Sequence, residues 1–335
     1  MFKSQVWRYR LIVAVHAAVL LAVASCATDT KTGQPKSETA ALDPEAKKKI
    51  EEMRNETEIG RNMAGRLLQF YGAFEDEQVV GYLNQVGNFV AGYGDYPERR
   101  YMFAVINVDQ VNAFACPGGY VLITLGALRN AQNEAELSAV LAHEVAHVGK
   151  RHMFNALQKM SPDDLNKAAR EAEKNLPSSV TVRRRLAPIQ EDKAGETLAR
   201  YLSGSAAGLS ILQAAKAGMS VILEKGLGAE LEYEADREGV KYAIRSGYHP
   251  AALTDFLCRI DHGFPGKSNR CATKAEAAGN KPKTILEKTH PPVDERVKNI
   301  KVLLAEMKAS EIVGALGKPR FDKVMEGLPK VATRK

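Results

Sequence analysis

The sequence predicts an α+β fold, mostly helical, with a small antiparallel sheet and a buried helix that carries an HExxH motif. Three observations point there. Apolar residues recur every three to four positions through most of the chain, the period of one helix face. Only two stretches, 101–108 and 119–125, are rich in β-branched and aromatic residues, and they lie close enough to pair. The run Leu141-Ala142-His143-Glu144-Val145-Ala146-His147-Val148 combines apolar helical filling with two histidines four residues apart.

Composition sets the outer bounds. The chain has 335 residues, 45% hydrophobic and 26% charged, enough to bury a sizeable core and too apolar for a largely disordered or fibrous protein. Four cysteines are too few for a disulfide-scaffolded mini-protein at this length. The formal net charge is +7.

The first element is an export signal. Residues 1–10 carry Lys3, Arg8 and Arg10 and no acid, and Leu11 to Ala24 is an apolar run of 14 residues broken only by His16. That is short for a bilayer span and right for a signal-peptide core. The run ends in Val23-Ala24-Ser25-Cys26, which resembles the bacterial lipobox, where Cys26 becomes the lipid-carrying first residue. Ordinary secretory cleavage after Ala22-Val23-Ala24 is the alternative. Both readings export the chain. Without residues 1–25, which hold three basic residues and no acidic one, 310 residues with net charge +4 remain. This charge is too mild to call for a nucleic-acid partner. By resemblance to Gram-negative sorting rules, Ala27 after the cysteine places a lipoprotein on the periplasmic face of the outer membrane. A soluble periplasmic protein is the alternative. Residues 26–47 are small and polar and read as a flexible tether.

Domain-forming sequence follows over 48–310. Ile59, Met63, Leu67 and Phe70 form one helical stripe, and Val79, Tyr82, Leu83, Val86, Phe89 and Val90 another. The strands at 101–108 and 119–125 come next, the second entered through the turn Pro117-Gly118-Gly119. A helix runs from Asn133 to Met160, with Asn133 as its N-cap and Glu134 and Glu136 in its first turn. Ser161 caps a fresh helix that has Pro162 at its first position and stops near Leu176-Pro177. Residues 177–195, with Arg183-Arg184-Arg185, read as a solvated loop. Tyr201 to Leu223 is long and apolar enough to span a bilayer. Lys216 near its centre would cost about 2.5–3.5 kcal/mol on insertion scales, so the segment reads as a helix buried against protein. Together 155–220 form a long helical connection. Helices follow at Glu230–Ser246, from Pro250 to Ile260 and over 293–307, with a polar loop at 263–282 and a C-terminal extension at 311–335.

The chemistry lies in the HExxH helix. His143 and His147 are one turn apart, so both imidazoles can reach one metal, and Glu144 can address a water beside it. Zinc, one per chain, needs a third protein ligand and an open fourth position. His152 falls one residue too early for the HExxHxxGxxH pattern and reads as a helix-end histidine near the C-terminal dipole. Glu232 is the better candidate, on the helix with Glu232-Tyr233-Glu234-Ala235-Asp236, and Asp236 one turn on can hydrogen-bond a ligating imidazole. Glu234 points about 200° from Glu232 and is a poor rival.

The order HEVAH, EYEAD, Thr289-His290-Pro291-Pro292 with Arg296, preceded by Asn112-Ala113-Phe114-Ala115-Cys116-Pro117-Gly118-Gly119, resembles the HtpX/CAAX-protease-like zinc metalloendopeptidases. With an export signal and no evident membrane helices, it resembles their BepA/LoiP-like lipoprotein branch. The resemblance covers roughly residues 55–305. It implies a mostly helical metallopeptidase domain, Glu232 as third zinc ligand beside His143 and His147, and Asp236 and Arg296 behind them. Glu144 is then the catalytic base. His290 is either a donor to the oxyanion or an occupant of the fourth metal position. The strand after the turn, with Tyr120 and Leu122, is expected to pair with an extended substrate whose entry is shaped by Asn112, Gly118 and Gly119. Implied substrates are unfolded or misassembled envelope proteins. Outer-membrane assembly machinery is a candidate partner, and the lipid supplies a membrane contact. The alternative function is a periplasmic chaperone or assembly factor with a latent zinc site. Cys258 and Cys271 form a candidate disulfide in an oxidising compartment, leaving Cys116 unpaired and buried beside the active-site strand.

Overall fold

The computed structural model describes residues 43–175, 211–261 and 289–328. The expected signal peptide, Cys26, the Arg183–Arg185 loop, the 263–282 loop and Cys271 lie outside these residues. Residues Glu45–Lys335 form one compact unit. Of the other, Met1–Pro44, only Asp43 and Pro44 are described.

Helix α1 (Pro44–Tyr71) begins inside the expected tether, and α2 (Glu77–Ala91) follows, its Asp76 side chain accepting from the Val79 N–H. The predicted stripes face inward: Ile59, Met63 and Leu67 are fully buried, as are Leu83 and Val90, whereas Phe89 stays exposed. Three strands come next, β1 (Met102–Ile106), β2 (Ala113–Cys116) and β3 (Tyr120–Thr124), in the order β1-β3-β2. β1 and β3 pair parallel with Met102 opposite Tyr120, and β2 and β3 pair antiparallel with Cys116 opposite Tyr120. The sheet is therefore mixed. The two strands legible in the sequence are parallel neighbours, and the antiparallel partner is the four-residue β2, too short to show an alternation. A 3₁₀ turn, Pro117–Gly119, joins β2 to β3. Gly118 has φ 74°, and a Cβ there would stand 2.5 Å from the Thr57 Cα, so the turn can lie directly on α1.

Both faces of the sheet are covered. Side chains alternate along each strand. Phe103, Val105, Val121 and Ile123 point into one apolar cluster with α2 and the HExxH helix. Ile106, Phe114, Cys116 and Leu122 point into a second cluster with α1 and the segments after the HExxH helix.

After α3 (Leu125–Asn130), the HExxH helix is α4 (Glu134–Gly149), entirely buried, with Asn133 accepting from the Glu136 N–H at 3.0 Å. The predicted single helix to Met160 is instead two. Arg151 adopts a left-handed φ of 58°, and α5 (His152–Lys159) starts at His152. His152 therefore opens a helix and does not close one. Phe154 and Leu157 keep a three-residue spacing beyond the break, so the segment still reads as helix and its separation from α4 does not show in the sequence. The Arg151 side chain binds Glu56 and Glu52, at 2.9 and 3.1 Å, and lies over the Phe154 ring.

Helix α6 (Pro162–Asn175) packs on α7 (Ile211–Ser220), where Ala214, Ala215, Ala217 and Met219 are fully buried. A π-helical turn, Val221–Lys225, ends that segment. Among the described residues no helix is long and apolar enough to cross a membrane. Helix α8 (Ala229–Arg245) lies along α4, followed by α9 (Ala252–Asp261), α10 (Val293–Glu306) and α11 (Lys318–Met325). Gly239 makes the α4–α8 contact possible, since a Cβ there would stand 2.8 Å from the His143 Cα. The segment expected as an extension is part of the body: Phe321 is buried in the first cluster and Arg320 pairs with Glu134. Cys258 is disulfide-bonded, while Cys116 is free and buried.

Candidate metal centre

Helix α4 presents His143 and His147 on one face, with their Nε2 atoms 3.2 Å apart. Helix α8 brings Glu232, in its first turn, against both: 3.4 Å to His143 Nε2 and 3.6 Å to His147 Nε2. One donor atom from each of the three lies within 4.8 Å of the other two, and all three residues are buried. Glu232 Oε2 is buried without a hydrogen-bond partner, although His290 Nε2 is only 3.3 Å away. Two imidazole nitrogens and an orphaned carboxylate oxygen facing one point suit a divalent cation, and a His-His-Glu set with an open side suits zinc. Glu232 is desolvated, which raises its pKa. The neighbouring His290 and His147 outweigh this and hold it well below the usual carboxylate range, so it stays an anion.

Asp236 stands one turn along α8. Its Oδ1 is 2.9 Å from His143 Nδ1, a close ionic contact that is not an in-line hydrogen bond. Arg296 on α10 grips the same carboxylate at 2.9 and 2.6 Å. Burial raises the Asp236 pKa, but Arg296 and His143 more than reverse it, and the group is ionised throughout the physiological range. Burial pulls His143 down, but Asp236 and Glu232 outweigh it and raise its pKa to about 9 without metal. This surplus of negative charge around the imidazole is what a bound cation would neutralise.

Glu144 is buried beside the cluster, and burial raises its pKa against the lowering by His143 and His147. His290 donates to or accepts from Thr289 Oγ1 at 2.9 Å, and burial lowers its pKa to about 4, leaving a neutral ring. Cys116 is not in the donor cluster, and burial pushes its thiol far above the usual range.

A cleft runs past these groups. Asn112–Ala115, Glu144, His147, Glu232 and His290 line it, with Met153, Ile222 and Leu227 opposite. The π-helical turn at the end of the long connection therefore borders the centre. A second cavity reaches Glu144, His143, His290 and Arg296 at one wall and is otherwise mostly apolar, with Val111, Val140, Leu253, Phe256 and Leu257 lining it. Asn112 is buried at the junction of both, and its Nδ2 has no hydrogen-bond partner.

The strand expected to receive substrate is placed differently. β3, with Tyr120 and Leu122, is the central strand, and β1 and β2 take both its edges. Leu122 is buried in the second cluster. Gly118 and Gly119 pack on Thr57 and Arg100 and do not line the cleft. The strand that borders the cleft is β2, and among the described residues no strand pairs with its other edge.

Sequence reasoning missed three charged hubs. Glu56, buried in α1, binds Arg99 at 2.7 Å, Arg151 at 2.9 Å and the Gly118 N–H at 3.3 Å. Glu134, at the start of α4, accepts from Tyr82, Tyr248 and Arg320. Glu136, also buried, pairs with Arg259. The two α4 glutamates read as first-turn partners of the helix dipole, and nothing local distinguishes a buried carboxylate from an exposed one at that position.

Two histidines and a glutamate on a buried HExxH helix, completed by a carboxylate from a second helix, define a metallopeptidase type of centre. The chain belongs to Peptidase family M48, which it matches over residues 77–303. It is 28% identical over 234 residues to a "Beta-barrel assembly-enhancing protease" of Yersinia pestis, covering 70% of this chain and 40% of that one. The protein of the same description in Escherichia coli K12 is 26% identical over 225 residues, covering 66% and 38%. A shorter stretch of 55 residues, covering 16% of this chain and 11% of that one, is 36% identical to "Mitochondrial metalloendopeptidase OMA1" of Arabidopsis thaliana. The chain spans about two fifths of the length of the bacterial relatives.

Proposed function

We propose that this chain is a zinc-dependent metalloendopeptidase that hydrolyses peptide bonds of unfolded or misassembled cell-envelope proteins. The observation that carries the reading is the convergence of His143, His147 and Glu232 donor atoms within 4.8 Å, with Glu144 on the wall of the same cleft. Zinc, when bound there, supplies Lewis acidity that polarises a carbonyl and acidifies water. Glu144, with its raised pKa, takes the proton from the attacking water and returns it to the leaving amine. His290, as a neutral imidazole, and the unpaired Asn112 Nδ2 offer N–H donors to substrate oxygens as charge develops. An extended peptide fits along the β2 edge, and the mostly apolar cavity beside Glu144 accepts a hydrophobic side chain of the kind an unfolded chain exposes.

The envelope setting rests on the N-terminal lipobox-like sequence and on relatives described as enhancing β-barrel assembly. We place the mature chain on the periplasmic face of the outer membrane, anchored through lipidated Cys26, with assembly machinery as a partner. Cys26→Ala is expected to release it from membranes on fractionation; unchanged membrane association overturns the anchor.

The purified protein is expected to hold one zinc and cleave casein, with cleavage lost on chelation. Glu144→Gln should drop cleavage by at least about 100-fold while keeping zinc, as expected for loss of a general base. Zinc-loaded wild type that cleaves nothing overturns the peptidase reading. The second reading, a chaperone with a latent centre, is favoured by the position of His290 at 3.3 Å from Glu232. It predicts that His290→Ala unmasks cleavage that wild type lacks.

A further inference from the structure

We propose that His152 and Glu234 are positioning residues for His147, fixing its tautomer so that Nε2 faces the metal. This rests on the reading of His143, His147 and Glu232 as ligands.

A histidine that binds metal through Nε2 must carry its proton on Nδ1, and it needs an acceptor there to hold the ring. Asp236 stands at that position for His143. No carboxylate of the HExxH or EYEAD segments reaches His147 Nδ1 directly. The fold supplies one. His152 Nδ1 lies 3.0 Å from His147 Nδ1, with the two rings edge-on at 81°. Two facing ring nitrogens pair only if one carries a proton and the other a lone pair.

The far side of His152 decides which. Its Nε2 is 3.2 Å from Glu234 Oε2. A carboxylate only accepts, so His152 carries its proton on Nε2. Its Nδ1 is then a lone pair and accepts from His147 Nδ1–H. That leaves His147 Nε2 as a lone pair, 3.2 Å from His143 Nε2 and facing Glu232. One carboxylate thus sets two tautomers in series.

The contact depends on the break at Arg151. In an uninterrupted helix, residues 147 and 152 point about 140° apart. The left-handed Arg151 turns α5 back so that His152 meets His147 from behind, away from the metal side. Helix α8 consequently holds both ligand histidines, His143 through Asp236 and His147 through Glu234 and His152.

The test is zinc affinity by chelator competition, with the melting temperature of each metal-free protein as the folding control. His152→Phe keeps the ring volume and removes the acceptor, and is expected to weaken zinc binding about 10–100-fold. His152→Gln restores an acceptor oxygen and is expected to recover affinity to within about threefold of wild type. Glu234 is 36% exposed, so Glu234→Ala keeps the fold even if His152→Phe does not, and it is expected to weaken zinc several-fold. Folded His152→Phe with wild-type affinity overturns the proposal. Equal losses in the Gln and Phe variants also overturn it, because they would mark a space-filling role. Wild type without zinc, or Glu232→Gln with undiminished zinc, overturns the ligand reading and this proposal with it.

Discussion

Asp236 and Arg296 meet through two hydrogen bonds where both side chains are almost fully buried. Removing one partner leaves a desolvated charge next to His143. Arg296→Met is therefore expected to destabilise the protein by about 3–5 kcal/mol, the usual effect of breaking a buried ion pair. Chemical denaturation measures it, and a change below about 1 kcal/mol would contradict the pairing. At this scale the candidate ligands were legible because two local spacings carry them: four residues in α4 and four in α8. His290 and Arg296 were legible only through the motif they share. Glu56, Glu134 and Glu136 were not legible, since a carboxylate's burial depends on what packs over it.

At the scale of elements, the contact between α4 and α8 sets the distance of Glu232 from the two histidines. Gly239 allows that contact, and an added Cβ would meet the His143 backbone at 2.8 Å. Gly239→Ala is expected to push the helices apart, cost about 1–3 kcal/mol through overpacking, and lower zinc occupancy. Metal analysis of the folded variant checks it; full occupancy would show that the site tolerates a wider helix spacing. Most helices were readable from periodicity and caps. The errors fell where tertiary contacts overrode local pattern. The break at Arg151 is held by Glu52 and Glu56, residues about 100 positions away in sequence. The sheet's pairing is set by β2, a four-residue strand with no alternating signature of its own.

At the scale of the molecule, the C-terminal segment is tied to the base of the HExxH helix. Arg320 grips Glu134, which is itself buried and bonded to Tyr82 and Tyr248. Burial raises the Glu134 pKa, but these three partners outweigh it and hold the pKa below its usual 4.5. A carboxylate whose folded pKa is depressed stabilises the protein above its unfolded pKa and loses that contribution as pH falls through the folded value. Arg320→Ala is expected to lower the melting temperature near pH 7, and the difference from wild type should shrink as the pH drops below about 4.5. A pH-independent difference would mean that Arg320 acts through packing alone.

The sequence by itself determined the helix-rich class, the HExxH helix and the candidate third ligand, because helical periodicity and ligand spacing are local properties of the chain. It also carried the resemblance that the match to Peptidase family M48 bears out. Only the tertiary structure decided that the sheet is mixed, that β2 and not β3 borders the cleft, and that His152 stands behind His147. Each of these depends on which distant segments share a surface. Strand order, carboxylate burial and the facing of two imidazoles follow from long-range packing, which a spacing along the chain does not encode.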